Sequence, residues 1–94
     1  MRTDVYLKLC RLVNSRNAAK QMCDSGGVLV NGQAAKSSRE LHLGDQLEIS
    51  GRSRNLTVKV LAIPLAKQVP RADAHTFYEI LKEDHPDRRE SLTT

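Results

Sequence analysis

The stretch Val28-Leu29-Val30-Asn31-Gly32 constrains the fold of this chain more than any other. Asn-Gly suits a tight two-residue hairpin turn because both central residues of such a turn need positive φ. Three strand-forming residues run directly into it. The spacing therefore predicts a strand over 28–30, a turn at 31–32 and a short return strand over Gln33 to Lys36. Immediately upstream, Gly26-Gly27 supplies the backbone freedom that ends a helix. The chain thus changes from helical to extended periodicity near residue 26.

Upstream of that point the pattern is helical. At about 100° per residue, Asp4, Lys8, Arg11 and Ser15 fall on one narrow stripe, while Val5, Leu9, Leu12 and Val13 turn toward a core. Asn14 or Ser15 ends this first helix and caps a second, since a short side-chain oxygen can bond the free N–H groups there. The second helix is expected from Arg16 to Ser25, with Ala18, Ala19, Met22 and Cys23 on one side and Arg16, Lys20 and Asp24 on the other.

Downstream, Leu41, Leu43, Leu47 and Ile49 occupy odd positions around Gly44-Asp45, and Leu56, Val58 and Val60 alternate with Thr57 and Lys59. Both runs read as strands with one face buried. Pro64 to Pro70 has no period and reads as a connector. Ala72 to Asp84 resumes a helical spacing through Phe77, Ile80 and Leu81, ended by His85-Pro86 and followed by a polar tail. The expected class is α+β: two N-terminal helices packed on a small antiparallel sheet, plus a short C-terminal helix. Residues 1–64 form the domain, and 65–94 supply the connector, helix and tail.

Composition excludes several function classes. Ninety-four residues with 39% hydrophobic content and three aromatics make one small core, not two domains flanking a large catalytic cleft. No apolar run approaches the roughly 18 residues that cross a bilayer, and Arg2 and Asp4 interrupt any secretion signal, so a soluble, cytoplasmic protein is expected. Cys10 and Cys23 stand alone and read as small buried hydrophobes. His42, His75 and His85 are too far apart for a local metal pair, and no cofactor is implied. Ser, His and Asp are present, but no nucleophile turn, phosphate-binding loop or metalloprotease helix organises them, so no catalytic residue is assigned.

Charge points to an anionic partner. The net charge is +4, residues 1–60 hold ten basic against five acidic side chains, and the first twenty residues carry five against one.

Against this background the order of residues resembles the S4 RNA-binding domain. The features that carry the resemblance are Arg2-Thr3-Asp4 with Leu7, Ser15-Arg16 with Ala19, a glycine at 26 or 27, Val28 to Gly32, and Leu43-Gly44-Asp45-Gln46-Leu47, spanning roughly residues 1–60. The resemblance implies two helices beside a small twisted sheet, with RNA against the helices and the adjoining turn. Among S4 proteins the chain is similar to the small members of bacterial ribosome-associated quality control, the RqcP group, including its segment Phe77 to Glu83. That likeness implies binding to obstructed large ribosomal subunits that carry peptidyl-tRNA, through rRNA and tRNA. It also implies support of C-terminal alanine tailing by the partner RqcH, with no membrane partner and a monomeric protein. The related heat-shock S4 proteins resemble the first sixty residues but carry a longer, more basic tail.

The residues expected to meet RNA are Arg2, Asp4, Lys8, Arg11, Ser15, Arg16, Lys20, Asn31 and Arg39. Arg16 leads, because an ordered guanidinium at a helix start can make paired bonds to phosphate. Asp4 is expected to pin or orient it. Ser15 reads foremost as a cap, and Asn31 as a turn former. Lys36, Arg52 and Arg54 could widen the patch. Only Tyr6 offers an aromatic ring within the domain, and it reads as core, so recognition of backbone and shape is expected. The rival class is a protein-interaction module docking through Phe77 to Leu81.

Overall fold

A computed structural model describes residues 1–51, 54–65 and 69–84. The elements are α1 (Thr3–Leu9), α2 (Arg16–Asp24), β1 (Val28–Val30), β2 (Gln33–Ala34), β3 (Gln46–Ser50), β4 (Asn55–Val60), α3 (Arg71–Ala74), a 3₁₀ turn (His75–Phe77) and β5 (Tyr78–Asp84). The strands form one antiparallel sheet in the order β2-β1-β3-β4-β5. This is the expected α+β arrangement.

The hairpin forms where the sequence puts it. Asn31 and Gly32 have φ of 53° and 85°, the left-handed pair that a tight turn between twisted strands requires. The return strand is two residues long, shorter than the expected four. In β3 and β4 the alternation works as read: Leu47, Ile49, Leu56, Val58 and Val60 are buried. They meet Val28 and Val30 of β1 and Tyr6, Leu7, Cys10, Ala19 and Cys23 of the two helices in one core. Burying a Val or Leu side chain fully stabilises by about 1.5–3 kcal/mol, so this cluster is what fixes the helices on the sheet.

Three expectations are corrected. First, α1 ends at Leu9, so Arg11 and Ser15 do not share its stripe with Asp4 and Lys8. The two helices stop by the same device. In α2, Gly26 takes φ 87° while its N–H bonds Cys23 O and the Gly27 N–H bonds Met22 O. In α1, Arg11 takes φ 59° while its N–H bonds Lys8 O and the Leu12 N–H bonds Leu7 O. Both are the double hydrogen-bond closure that satisfies the last helical carbonyls, normally marked by glycine. Here the first is built on arginine, and the next two residues, Leu12 and Val13, pack against the core.

Second, Leu43 does not belong to a buried strand face; it is 67% exposed at the tip of the turn before β3. Asp45 accepts the His42 N–H at 2.9 Å and holds that turn.

Third, the helical spacing at Phe77, Ile80 and Leu81 does not make a helix. Helix is confined to α3 and the 3₁₀ turn, and residues 78–84 form β5 along the open edge of β4, pairing Val58 with Ile80 and Val60 with Tyr78. A register shift lies at Thr57/Val58, where Ile80 and Lys82 are the paired residues. The unpaired N–H and C=O row of a β4 edge outweighs local periodicity, because each ladder bond satisfies backbone groups that would otherwise stay unpartnered. The expected helix stop at His85-Pro86, the tail and Arg52 lie outside the described residues.

Candidate nucleic-acid interface

The first four residues are held as a strap against the loop before β3. Thr3 N–H and its hydroxyl both donate to Arg39 O, at 2.9 and 2.8 Å, the Asp4 N–H donates to Ser37 O at 3.1 Å, and the Leu41 N–H donates to Met1 O at 2.9 Å. The Met1 ammonium bonds the Glu40 carboxylate. This strap fixes where α1 starts and leaves Arg2 beside Glu40, with which it forms a single bridge.

Asp4 is then carried into the junction of the helices, where it is only 1% exposed. Its Oδ1 accepts the Val5 N–H at 2.8 Å and Arg2 Nε at 3.1 Å. Its Oδ2 accepts Arg2 Nη2 and, from α2, Arg16 Nε, both at 3.3 Å. Burial alone pushes the carboxyl up, but the bonds from Arg2, Arg16 and the Val5 N–H more than offset it and hold the group below its ordinary value. A single sunken carboxylate therefore positions two guanidiniums from two elements, and both remain about half exposed at 45% and 57%. Paired side chains of this kind face solvent with little rotamer freedom left to lose on meeting an anion.

Ser15 caps α2, its Oγ accepting the Ala18 N–H at 3.1 Å, and so sets the helix start from which Arg16 projects. Lys20 lies one turn beyond Arg16 on the same exposed side. Arg39 is exposed and uses its carbonyl, not its side chain, to anchor α1. Asn31 works within the fold: its Oδ1 accepts the Gln46 N–H at 3.0 Å and its Nδ2 donates to Asp45 at 3.1 Å. Burial again acts upward on Asp45, and the His42 N–H and Asn31 bonds hold its carboxyl below the ordinary value. The Asn-Gly and Gly-Asp motifs are thus two halves of one clamp.

Of the residues singled out in the sequence, Arg2, Asp4 and Arg16 are brought together, with Ser15 supporting and Lys20 adjacent along α2. Lys8 and Arg11 are not part of that cluster. Both line a groove at the opposite end of α1, and Arg11 donates to Val69 O at 3.2 Å. Arg54 pairs with Glu83 of β5 at 3.5 Å. Sequence reasoning missed Thr3 and Ser37, which hold the strap. Thr3 was signalled by its place in the Arg2-Thr3-Asp4 motif, and Ser37 only by polarity at a position the hydrophobic pattern did not need. It also missed His75 and Tyr78, which reach the groove from more than sixty residues along the chain.

Residues 1–47, half of the chain and the part that contains this cluster, match the S4 domain family. The chain belongs to the S4 domain family. Within it, this S4 protein is 42% identical over 83 residues to the RQC P-site tRNA stabilizing factor of Streptococcus pneumoniae, covering 88% of the chain and 92% of that relative. The S4 fold extends past the matched segment. Vibrio cholerae heat shock protein 15, solved as a trimer, superposes with a TM-score of 0.78 at 26% identity, over 98% of the chain and 91% of its own. The solution structure of the hypothetical protein HP1423 superposes with a TM-score of 0.74 at 35% identity, over 87% and 98% respectively. No helix among the described residues is long and apolar enough to cross a membrane.

Proposed function

We propose that this S4 protein is an RNA-binding factor of ribosome-associated quality control. It binds obstructed large ribosomal subunits that carry peptidyl-tRNA, contacts rRNA and tRNA, and supports alanine tailing by RqcH; it acts as a cytoplasmic monomer without catalysis of its own. The observation that carries the reading is the Arg2–Asp4–Arg16 arrangement, two half-exposed guanidiniums held by one buried carboxylate. Phosphate oxygens are the natural acceptors for such a pair. Support for the ribosomal setting comes from relatives named RQC P-site tRNA stabilizing factor that cover nearly the whole chain. The likeness to heat shock protein 15 favours, as a second reading, binding of free large subunits with nascent chain. Its lower identity, 26% against 42%, ranks it behind.

The test is co-sedimentation with large subunits carrying peptidyl-tRNA across a salt series. Affinity is expected to fall with salt, because each neutralised phosphate releases counterion, and Arg16→Ala is expected to weaken binding at least tenfold and flatten the salt slope by about one unit. A folded Arg16→Ala protein that sediments as well as the parent would return the chain to the protein-interaction class.

A further inference from the structure

The two cations that left the Arg2–Asp4–Arg16 cluster have a place of their own. Lys8 and Arg11 line a groove of roughly 900 Å³ between the end of α1 and residues 69–78, together with Asn14, His75 and Tyr78. That volume lies within the range of clefts that hold small organic ligands. Lys8, Arg11, Asn14 and His75 are all exposed and all can donate hydrogen bonds. No carboxylate lines the groove among the described residues; Asp73 and Glu79, both exposed and each next in sequence to a lining residue, stay outside the lining. Two side-chain cations with no lining carboxylate to neutralise them favour an anion. The rest of the wall is of another kind. Leu9, Val13 and Pro70 present aliphatic surface, and the half-buried Tyr78 adds an aromatic ring able to lie against a flat group. A ligand that satisfies both walls carries negative charge on one side and a flat, weakly polar face on the other.

We propose that this groove is a second RNA site, taking one unstacked nucleotide of a single-stranded segment, with its phosphodiester on Lys8 and Arg11 and its base against Tyr78 and Pro70. The inference rests on the reading of the chain as an RNA-binding factor. It adds that the two ends of α1 grip separate strands. Arg11 is suited to the role, because its left-handed backbone and its bond to Val69 O together fix the guanidinium at the groove's rim. Base stacking on a side-chain ring is tolerant of sequence, so the site would select single-strandedness and not a base identity.

The experiment is a ¹⁵N-resolved NMR titration of the full chain with pentauridine, run in parallel with uridine 5′-monophosphate. Expected are shifts at residues 8–14 and 74–78, and a dissociation constant about tenfold higher in the combined variant Lys8→Ala, His75→Ala. The mononucleotide carries the same phosphate and base and should shift the same groove residues. Arg16→Ala should retain the groove shifts, which separates this site from the first. Shifts confined to residues 2–4 and 15–20 around Arg2 and Arg16, or no shifts at 74–78, would overturn the proposal. If the groove responds while large-subunit binding ignores Arg16→Ala, the ribosomal reading fails and the groove stands. If subunit binding needs Arg16 and the groove stays silent, the reverse holds.

Discussion

Arg16 of α2 donates its Nε–H to Asp4 of α1 across 3.3 Å, and the same carboxylate holds Arg2, so the surface cations and the packing of the two helices depend on one buried group.

Asp4→Asn keeps the size of the side chain and removes its charge. Because the arginines it leaves behind are half exposed and can rehydrate, the expected loss is about 1–2 kcal/mol, well under that for stranding a buried ion. Thermal unfolding should report a Tm lower by roughly 4–16 °C for a chain of this size. The pH dependence follows from the same carboxyl. Its value is lowered in the fold, so its contribution is complete above the ordinary carboxylate pKa of about 3.9 and is lost as pH falls through the folded value. Denaturant titrations between pH 6 and 2 should show the parent and Asp4→Asn converging at the acid end. A constant gap would disprove the assignment.

Asn31 can be dissected by two substitutions. Asn31→Gly keeps the positive φ and loses both clamp bonds to Asp45 and Gln46, whereas Asn31→Ala loses the bonds and strains the turn as well. The glycine variant is expected to cost about 1–2 kcal/mol and the alanine variant roughly 1 kcal/mol more. Equal losses in chemical denaturation would mean that the turn conformation contributes nothing.

Arg11→Gly should act in the opposite direction. Glycine is free of the left-handed penalty at φ 59°, worth about 1 kcal/mol, and the lost bond to Val69 O is partly exposed. The variant is expected to match or exceed the parent in stability while binding the pentanucleotide less well. Calorimetry showing clear destabilisation would place Arg11's importance in the fold instead.

Burial pushes both thiols, Cys10 and Cys23, up to about 11. With ordinary cysteines near 8.5, the native protein at pH 8 should react with a thiol-specific disulfide reagent orders of magnitude more slowly than the unfolded chain. Since the folded values are raised, their share of stability is complete below the ordinary thiol pKa and is lost as pH rises through about 11. Rapid labelling of the native protein at pH 8 would contradict the packing around α1 at Cys10 or α2 at Cys23.

Tyr6 offers a measure of how α1 is tied to the last third of the chain. Its hydroxyl donates to Phe77 O at 2.6 Å, but that carbonyl also accepts the N–H groups of Leu61 and Ala62. Tyr6→Phe therefore strands no buried acceptor, and a modest cost of about 0.5–1 kcal/mol is expected in equilibrium unfolding.

What the sequence made legible divides along physical lines. The 28–32 hairpin, the Ser15 cap and the end of α2 at Gly26 rest on residues whose backbone preferences leave few alternatives. The Asp4–Arg16 pairing was within reach because opposite charges stand at the starts of two adjoining helices. The end of α1 was not legible, since Arg11 performs a glycine's task. Nor was β5, because Phe77, Ile80 and Leu81 satisfy helical spacing and only the neighbouring edge of β4 tips them into a strand. The groove was invisible for a similar reason: Lys8 and His75 meet through tertiary structure alone.

The late arrival of β5 carries a consequence for biosynthesis. While a nascent chain has emerged only as far as residue 77, the outward row of amides on Asn55–Val60 has no mate, and a product terminated there would carry an open, sticky seam. Such a product should self-associate during expression, whereas the chain extended through residue 84 seals the seam from within.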